Sequence, residues 1–141
     1  MGKLLHEKES YTLNGIAFRV HKILGRFAKE KQYCDQYENE LRTQSINYKR
    51  ELTIGSTGNR LDFFVYDSIV LEIKARPYII KEDYYQTQRY LQSLNCELGI
   101  IYNFRDQYLK PKRILRETRK NSYPQKSADP DIVLKSGSLS L

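Results

Sequence analysis

Apolar and polar residues alternate over two short runs in the middle of the chain. Asp62 and Phe64 separate Leu61, Phe63 and Val65, while Val70 and Glu72 separate Ile69, Leu71 and Ile73, and Lys74 follows. A period of two predicts β-strands, and Asp67-Ser68 between the runs marks a turn, so residues 61–75 read as an antiparallel hairpin. Register then decides which residues share a face. A two-residue turn pairs Phe63 with Glu72 and puts an acid on the apolar face. A three-residue loop or a bulge pairs odd positions with odd. One face is then wholly apolar, and the other gathers Asp62, Glu72 and Lys74.

Elsewhere the period lengthens. Leu13, Ile16, Ala17, Val20 and Leu24 recur at steps of three and four, predicting a helix from about Ser10 to Leu24, with Gly25 as its stop. His21 falls beside that apolar face, where a histidine is ordinarily packed or hydrogen-bonded. A second helix is predicted from about Ala28 to Thr43, burying Tyr33, Tyr37 and Leu41, with Glu30 one turn before Tyr33. Residues 46–54 alternate as a strand, and Gly55-Ser56-Thr57-Gly58-Asn59 turns the chain into the hairpin. A third helix spans about Glu82 to Leu94, with Gln86 and Tyr90 on one face and Tyr84, Thr87, Leu91 and Leu94 on the next. The nearly continuous apolar run from Leu98 to Phe104 predicts a buried strand parallel to its neighbour, and Arg113-Ile114-Leu115 an added edge strand. The order helix, helix, three strands, helix, strand predicts an α/β (α+β) domain with a mixed central sheet flanked by helices. Residues 1–120 are expected to form that single domain, and 121–141, with their Pro, Ser, Lys and Gly content, read as a flexible basic/polar tail.

At 141 residues the chain is long enough for one core and not two. Cys34 and Cys96 form no spaced motif and read as free thiols, which together with the lack of a membrane-length apolar run or signal pattern leads us to expect a cytoplasmic protein. Charge changes the picture more. Residues 105–126 contain eight Lys or Arg against Asp106 and Glu117, and so hold six of the seven net positive charges. Concentrated positive charge is the footprint of polyanion binding, making Arg105, Lys112, Arg113, Arg116, Arg119 and Lys120 candidates to contact nucleic acid, with Tyr108 and Tyr123 available to stack on unpaired bases. A solvated tail explains the same charge.

Two carboxylates and an ammonium on one sheet face make chemical sense as a hard-cation site. Magnesium takes one or two carboxylates and leaves other positions to water and substrate phosphate. Asp62 and Glu72 would be its ligands, the Ile73 carbonyl between them a third, and Lys74 would orient an attacking water or take its proton. The bland alternative is a surface salt bridge.

The element order resembles the PD-(D/E)XK nuclease superfamily, whose core is a helix, a three-stranded meander, a helix and a further strand. Within it, the chain is most similar to the small GxxExxY proteins. The first region matches through His21-Lys22-Ile23-Leu24-Gly25, Glu30-Lys31-Gln32-Tyr33 and Tyr37-Glu38-Asn39-Glu40-Leu41-Arg42. The nuclease motif matches through Leu61-Asp62-Phe63 and Leu71-Glu72-Ile73-Lys74-Ala75. Gln86-Thr87-Gln88-Arg89-Tyr90-Leu91, Leu98 to Phe104 and Lys112-Arg113-Ile114 follow in order, so the resemblance covers roughly residues 12–115. It departs at Phe27, which stands where the family motif has its glycine, and in the short link Gly55 to Asn59. The resemblance implies a magnesium-dependent endo- or exonuclease, with manganese as substitute, acting on DNA more than RNA. It makes Glu30 an auxiliary acid and Gln86 a hydrogen-bonding residue beside Asp62, Glu72 and Lys74. The competing reading is a non-catalytic domain that keeps the fold and binds nucleic acid or a protein partner. A homodimer is left open, and no membrane is implied.

Overall fold

The computed structural model describes residues 6–118 apart from Thr57. The elements follow in the order α1 (Glu7–Leu24), α2 (Glu30–Thr43), β1 (Tyr48–Ile54), β2 (Asn59–Val65), β3 (Ile69–Lys74), α3 (Lys81–Leu94), β4 (Leu98–Asn103) and β5 (Lys112–Leu115). The five strands form one mixed sheet in chain order, parallel between β3 and β4 and antiparallel elsewhere. This is the predicted α+β architecture, with α1 starting a turn earlier than expected. The tail, with Arg119, Lys120 and Tyr123, lies outside the described residues.

The hairpin takes the odd-with-odd register: Phe63 pairs with Leu71 and Val65 with Ile69. The connection is the three-residue loop Tyr66-Asp67-Ser68, whose first two residues adopt positive φ (57° and 53°). Leu61, Phe63, Val65, Ile69, Leu71 and Ile73 are all fully buried. Most of them pack against Leu13, Ile16, Val20, Tyr33, Tyr37 and Leu41 of α1 and α2. The other sheet face is not solvated, because α3 covers it: Val70 and Ile101 pack against Tyr84, Tyr90 and Leu91. Leu61 belongs to this second cluster, not to the first, together with Leu52 and Ile54. The change of side follows Glu51, which holds φ at 57° where β1 passes Asp62. A non-glycine residue rarely takes that conformation.

Tyrosines tie the helices down. The Tyr33 ring stacks on Phe104 at 4.4 Å between centroids. Its hydroxyl donates to the Gly25 carbonyl (2.6 Å) and accepts from the Ala28 N–H (3.1 Å), clamping the loop that delivers Glu30. Tyr37 donates to the Leu13 carbonyl (2.9 Å) and Tyr102 to Asn14 (2.8 Å). Phe27, which stands where the family motif has its glycine, points outward under the guanidinium groups of Arg26 and Arg105. His21 is half-buried and engages the Asp106 carbonyl at 2.9 Å, the packed role expected of it.

The seat of α3 on the sheet is tight at Gly99. A Cβ there would lie 2.8 Å from the Thr87 methyl, and Thr87 is buried with its hydroxyl bonded to the Asp83 carbonyl. Gly99→Ala must therefore push α3 off β4, and overpacking of this kind costs about 1–3 kcal/mol. A urea or thermal melt should read that loss, and an unchanged midpoint would mean that α3 yields without strain.

Candidate active site

The site forms where the ladder between β2 and β3 stops. Continued, the register would set Asp62 opposite Glu72, but their side chains take over the hydrogen bonds. The Asp62 N–H donates to Glu72 Oε2 (3.0 Å), and the Ile73 N–H donates to Asp62 Oδ2 (2.7 Å). Each carboxylate thus caps the main chain of the opposite strand with one oxygen. This fixes both side chains more firmly than a surface salt bridge would. Glu72 is only 3% exposed and Asp62 is half-buried.

Lys74 ends β3 and lies between two buried acids. Its Nζ is 3.5 Å from Glu72 Oε1 and 3.9 Å from Asp83 Oδ1. Asp83, in the first turn of α3, accepts a two-point contact from Arg76 (2.9 and 2.5 Å) and also the Ile80 N–H (2.9 Å). The strand end carrying Lys74 is therefore tied to the helix start through Arg76 and Asp83. The Asn103 amide adds a second tie, accepting from the Arg76 N–H (3.1 Å) and donating to the Arg76 carbonyl (2.7 Å).

Crowded acids are reluctant to ionise. Burial, then the Asp62 charge, pushes the Glu72 carboxyl up to about 8, opposed by Lys74 and by the Asp62 N–H. Burial also raises Asp62, against the Ile73 N–H, Lys74 and Arg50. Glu30 is exposed as a residue, yet partial desolvation and then the Asp62 charge raise its carboxyl, while Lys74 and Arg76 lower it. The structure thus gathers Glu30, Asp62, Glu72 and Lys74 at one place. Gln86 is half-buried on α3, one turn before Tyr90, and among the described residues it hydrogen-bonds none of these four.

Two hard oxygen donors whose mutual repulsion a cation would relieve fit a divalent ion that keeps much of its hydration. They do not form a closed cage. Among the described residues no group of three or more His, Cys, Asp or Glu side chains is placed to hold a metal ion.

Sequence reasoning missed four neighbours of this cluster. Arg76 and Asp83 were signalled only by an Arg shortly after the strand and an acid in the next helix's first turn. Tyr90 is buried, and burial followed by the Glu72 and Asp62 charges pushes its phenol up to about 12; its hydroxyl donates to the Arg60 carbonyl (3.1 Å). Cys34 is buried near Asp62, and both facts raise its thiol.

Among the described residues, those of the basic segment do not form one track. Arg105 sits beside the site, donating to the Ala75 carbonyl (3.2 Å). Lys112 is buried on β5, contrary to the solvated cation expected there. Arg113 reaches Ser10 at the start of α1 (3.2 Å). Arg116 bonds Asn95 and the Glu97 carbonyl, next to the Leu98–Leu115 pair. Because Lys74 pairs with Asn103 at the other end of β4, Arg116 lies roughly 17 Å of strand away from the site.

A family model described as the PD-(D/E)XK nuclease superfamily matches residues 7–116. The chain belongs to that superfamily. The match spans every helix and strand described above. Comparison with curated proteins and with solved structures gave no match. Members of the superfamily are in general phosphodiesterase nucleases that use divalent metals, so nucleic acid is the implied substrate. No described helix is long and apolar enough to cross a membrane.

Proposed function

We propose that the protein is a magnesium-dependent nuclease that hydrolyses phosphodiester bonds in nucleic acid, DNA in preference to RNA. The finer similarity to the GxxExxY proteins points the same way. One observation carries the reading. A buried and a half-buried carboxylate, both of raised proton affinity, face each other across an opened strand pair, with an ammonium 3.5 Å from the buried one.

Asp62 and Glu72 would hold the cation through the carboxylate oxygens not bonded to main-chain N–H groups, with the Ile73 carbonyl as a further donor. When bound, the cation would neutralise developing charge on the phosphate and lower the pKa of water. Lys74 would orient the attacking water or accept its proton, its ammonium held in place by Glu72 and Asp83. Glu30 enters from the start of α2 as an auxiliary acid, and Gln86 from α3 as a hydrogen-bonding group. Arg105, next to the Lys74 strand end, would meet substrate phosphate. Manganese should substitute for magnesium.

The test is cleavage of single-stranded, double-stranded and branched DNA in magnesium, in manganese and in EDTA. Cleavage in either metal that stops in EDTA is the expected result. A protein that binds these substrates but cuts none of them in either metal would favour the non-catalytic reading.

A further inference from the structure

Next to the strand end that carries Lys74 lies a recess that the proposed chemistry leaves unused. Its volume is about 560 Å³, and it is lined by Pro77, Tyr78 and Ile79 from the chain leaving β3 and by Asp106, Tyr108 and Lys110 from the chain leaving β4. Small-molecule sites typically span about 300–1,000 Å³, so the recess has room for a nucleotide. Asn103 forms part of its wall, pairs in register with Lys74 and binds Arg76 through its amide. The recess therefore opens one strand away from the Lys74 ammonium.

Its two tyrosines, like Tyr11 on α1, are exposed. Tyr78 is 54% exposed and Tyr108 75% exposed, whereas Tyr33, Tyr37, Tyr84, Tyr85, Tyr90 and Tyr102 are buried. Each of those six packs its ring into one of the two cores, whereas the rings of Tyr78 and Tyr108 lie outside both. Aromatic faces at a recess that also carries lysine are what unpaired bases stack on. Asp106 on the same wall opposes phosphate, which favours a base within the recess and the backbone outside it.

We infer that Tyr78 and Tyr108 form a stacking site for an unpaired nucleotide, so that the substrate of the proposed nuclease is single-stranded or carries a single-stranded end. The inference rests on the nuclease reading for its choice of ligand, but its test does not require cleavage. A duplex keeps its bases stacked on one another and has none to place against the tyrosines.

The experiment measures the affinity of the full chain for fluorescein-labelled oligothymidylate and for a blunt duplex, in calcium. Base–aromatic stacking is worth about 1–3 kcal/mol per base, or about 5–150-fold in affinity. The double variant Tyr78→Ala, Tyr108→Ala should bind the single strand at least about tenfold more weakly, while duplex affinity changes less than about twofold. Tyr78→Phe with Tyr108→Phe should bind like wild type, because stacking needs the ring and not the hydroxyl. The loss should also persist at raised salt, since a stacking contact releases no counterions. Equal loss on both substrates, no loss on the single strand, or wild-type protein that binds no single strand would each overturn the inference. Wild-type protein that binds single strands through these tyrosines yet never cuts would sink the nuclease reading alone.

Discussion

Lys74→Ala is expected to lower magnesium-dependent cleavage by at least about 10², while affinity for the same nucleic acid in calcium changes less than about tenfold. General acid–base groups contribute about 10²–10⁴ in rate, and one ammonium adds little to the affinity of a basic surface. Lys74 is half-buried and lies within 4 Å of Glu72 and Asp83, so its position is set by two carboxylates and not by substrate. Its loss also removes a charge that lowers Glu72 and Asp62. The comparison therefore belongs at saturating metal, where a change in cation affinity no longer limits the rate. Lys74→Arg should not rescue, because a guanidinium stays protonated and is planar where the site holds a compact ammonium. Cleavage that survives Lys74→Ala in full would mean that the reaction occurs elsewhere or in a contaminant.

The parts of this site that were legible in the sequence share a property: a pattern repeated on both sides of a turn. Alternation at 61–65 and 69–73, combined with the odd-with-odd register of a three-residue loop, places Asp62, Glu72 and Lys74 side by side. The same alternation could not show that the two carboxylates replace the ladder, because that depends on how the strands part beside Glu51 and its positive φ. Nor could it assign Leu61 to the α3 side, which the twist at the same level decides. Arg76 and Asp83 were hidden for a different reason. Their contact crosses an irregular connection, residues 75–80, that has no period to read. Charge counted along the chain could not show how the basic segment is divided in space, because β5 runs antiparallel to β4 and carries Arg116 away from the site. A four-residue strand is too short to reveal that Lys112 and Ile114 face inward. Tyr33, by contrast, was placed correctly on the buried stripe of α2, and its contact with Gly25 and Ala28 accounts physically for a tyrosine one turn after Glu30.

Glu72→Gln should make the metal-free protein more stable at alkaline pH and abolish most of its stabilisation by magnesium. The sign follows from the raised carboxyl. An acid whose folded pKa lies above its ordinary value of 4.5 contributes stability that is fully present below 4.5 and lost as pH rises through about 8. Metal-free wild type should therefore weaken across that window, by an amount on the order of a few kcal/mol for Glu72. Asp62 and Glu30, also raised, should add to the trend. Magnesium acts in the opposite direction, since it binds the ionised pair and stabilises by mass action, about 2.7 kcal/mol at a hundred times its dissociation constant. The metal-induced rise in melting temperature should consequently grow from mildly acidic to alkaline pH, as protons cease to compete for Glu72. A glutamine retains an oxygen to accept the Asp62 N–H, so the strand contact survives, but it has no charge to bury and none to offer a cation. Asp62→Asn should likewise lose most of the magnesium shift while keeping an acceptor for the Ile73 N–H. Thermal melts of the three proteins in EDTA and in magnesium across this pH range would read both effects. An equal magnesium shift in Glu72→Gln would place the cation elsewhere, and a wild type whose metal-free stability is flat from 4.5 to 8 would mean that Glu72 ionises without penalty.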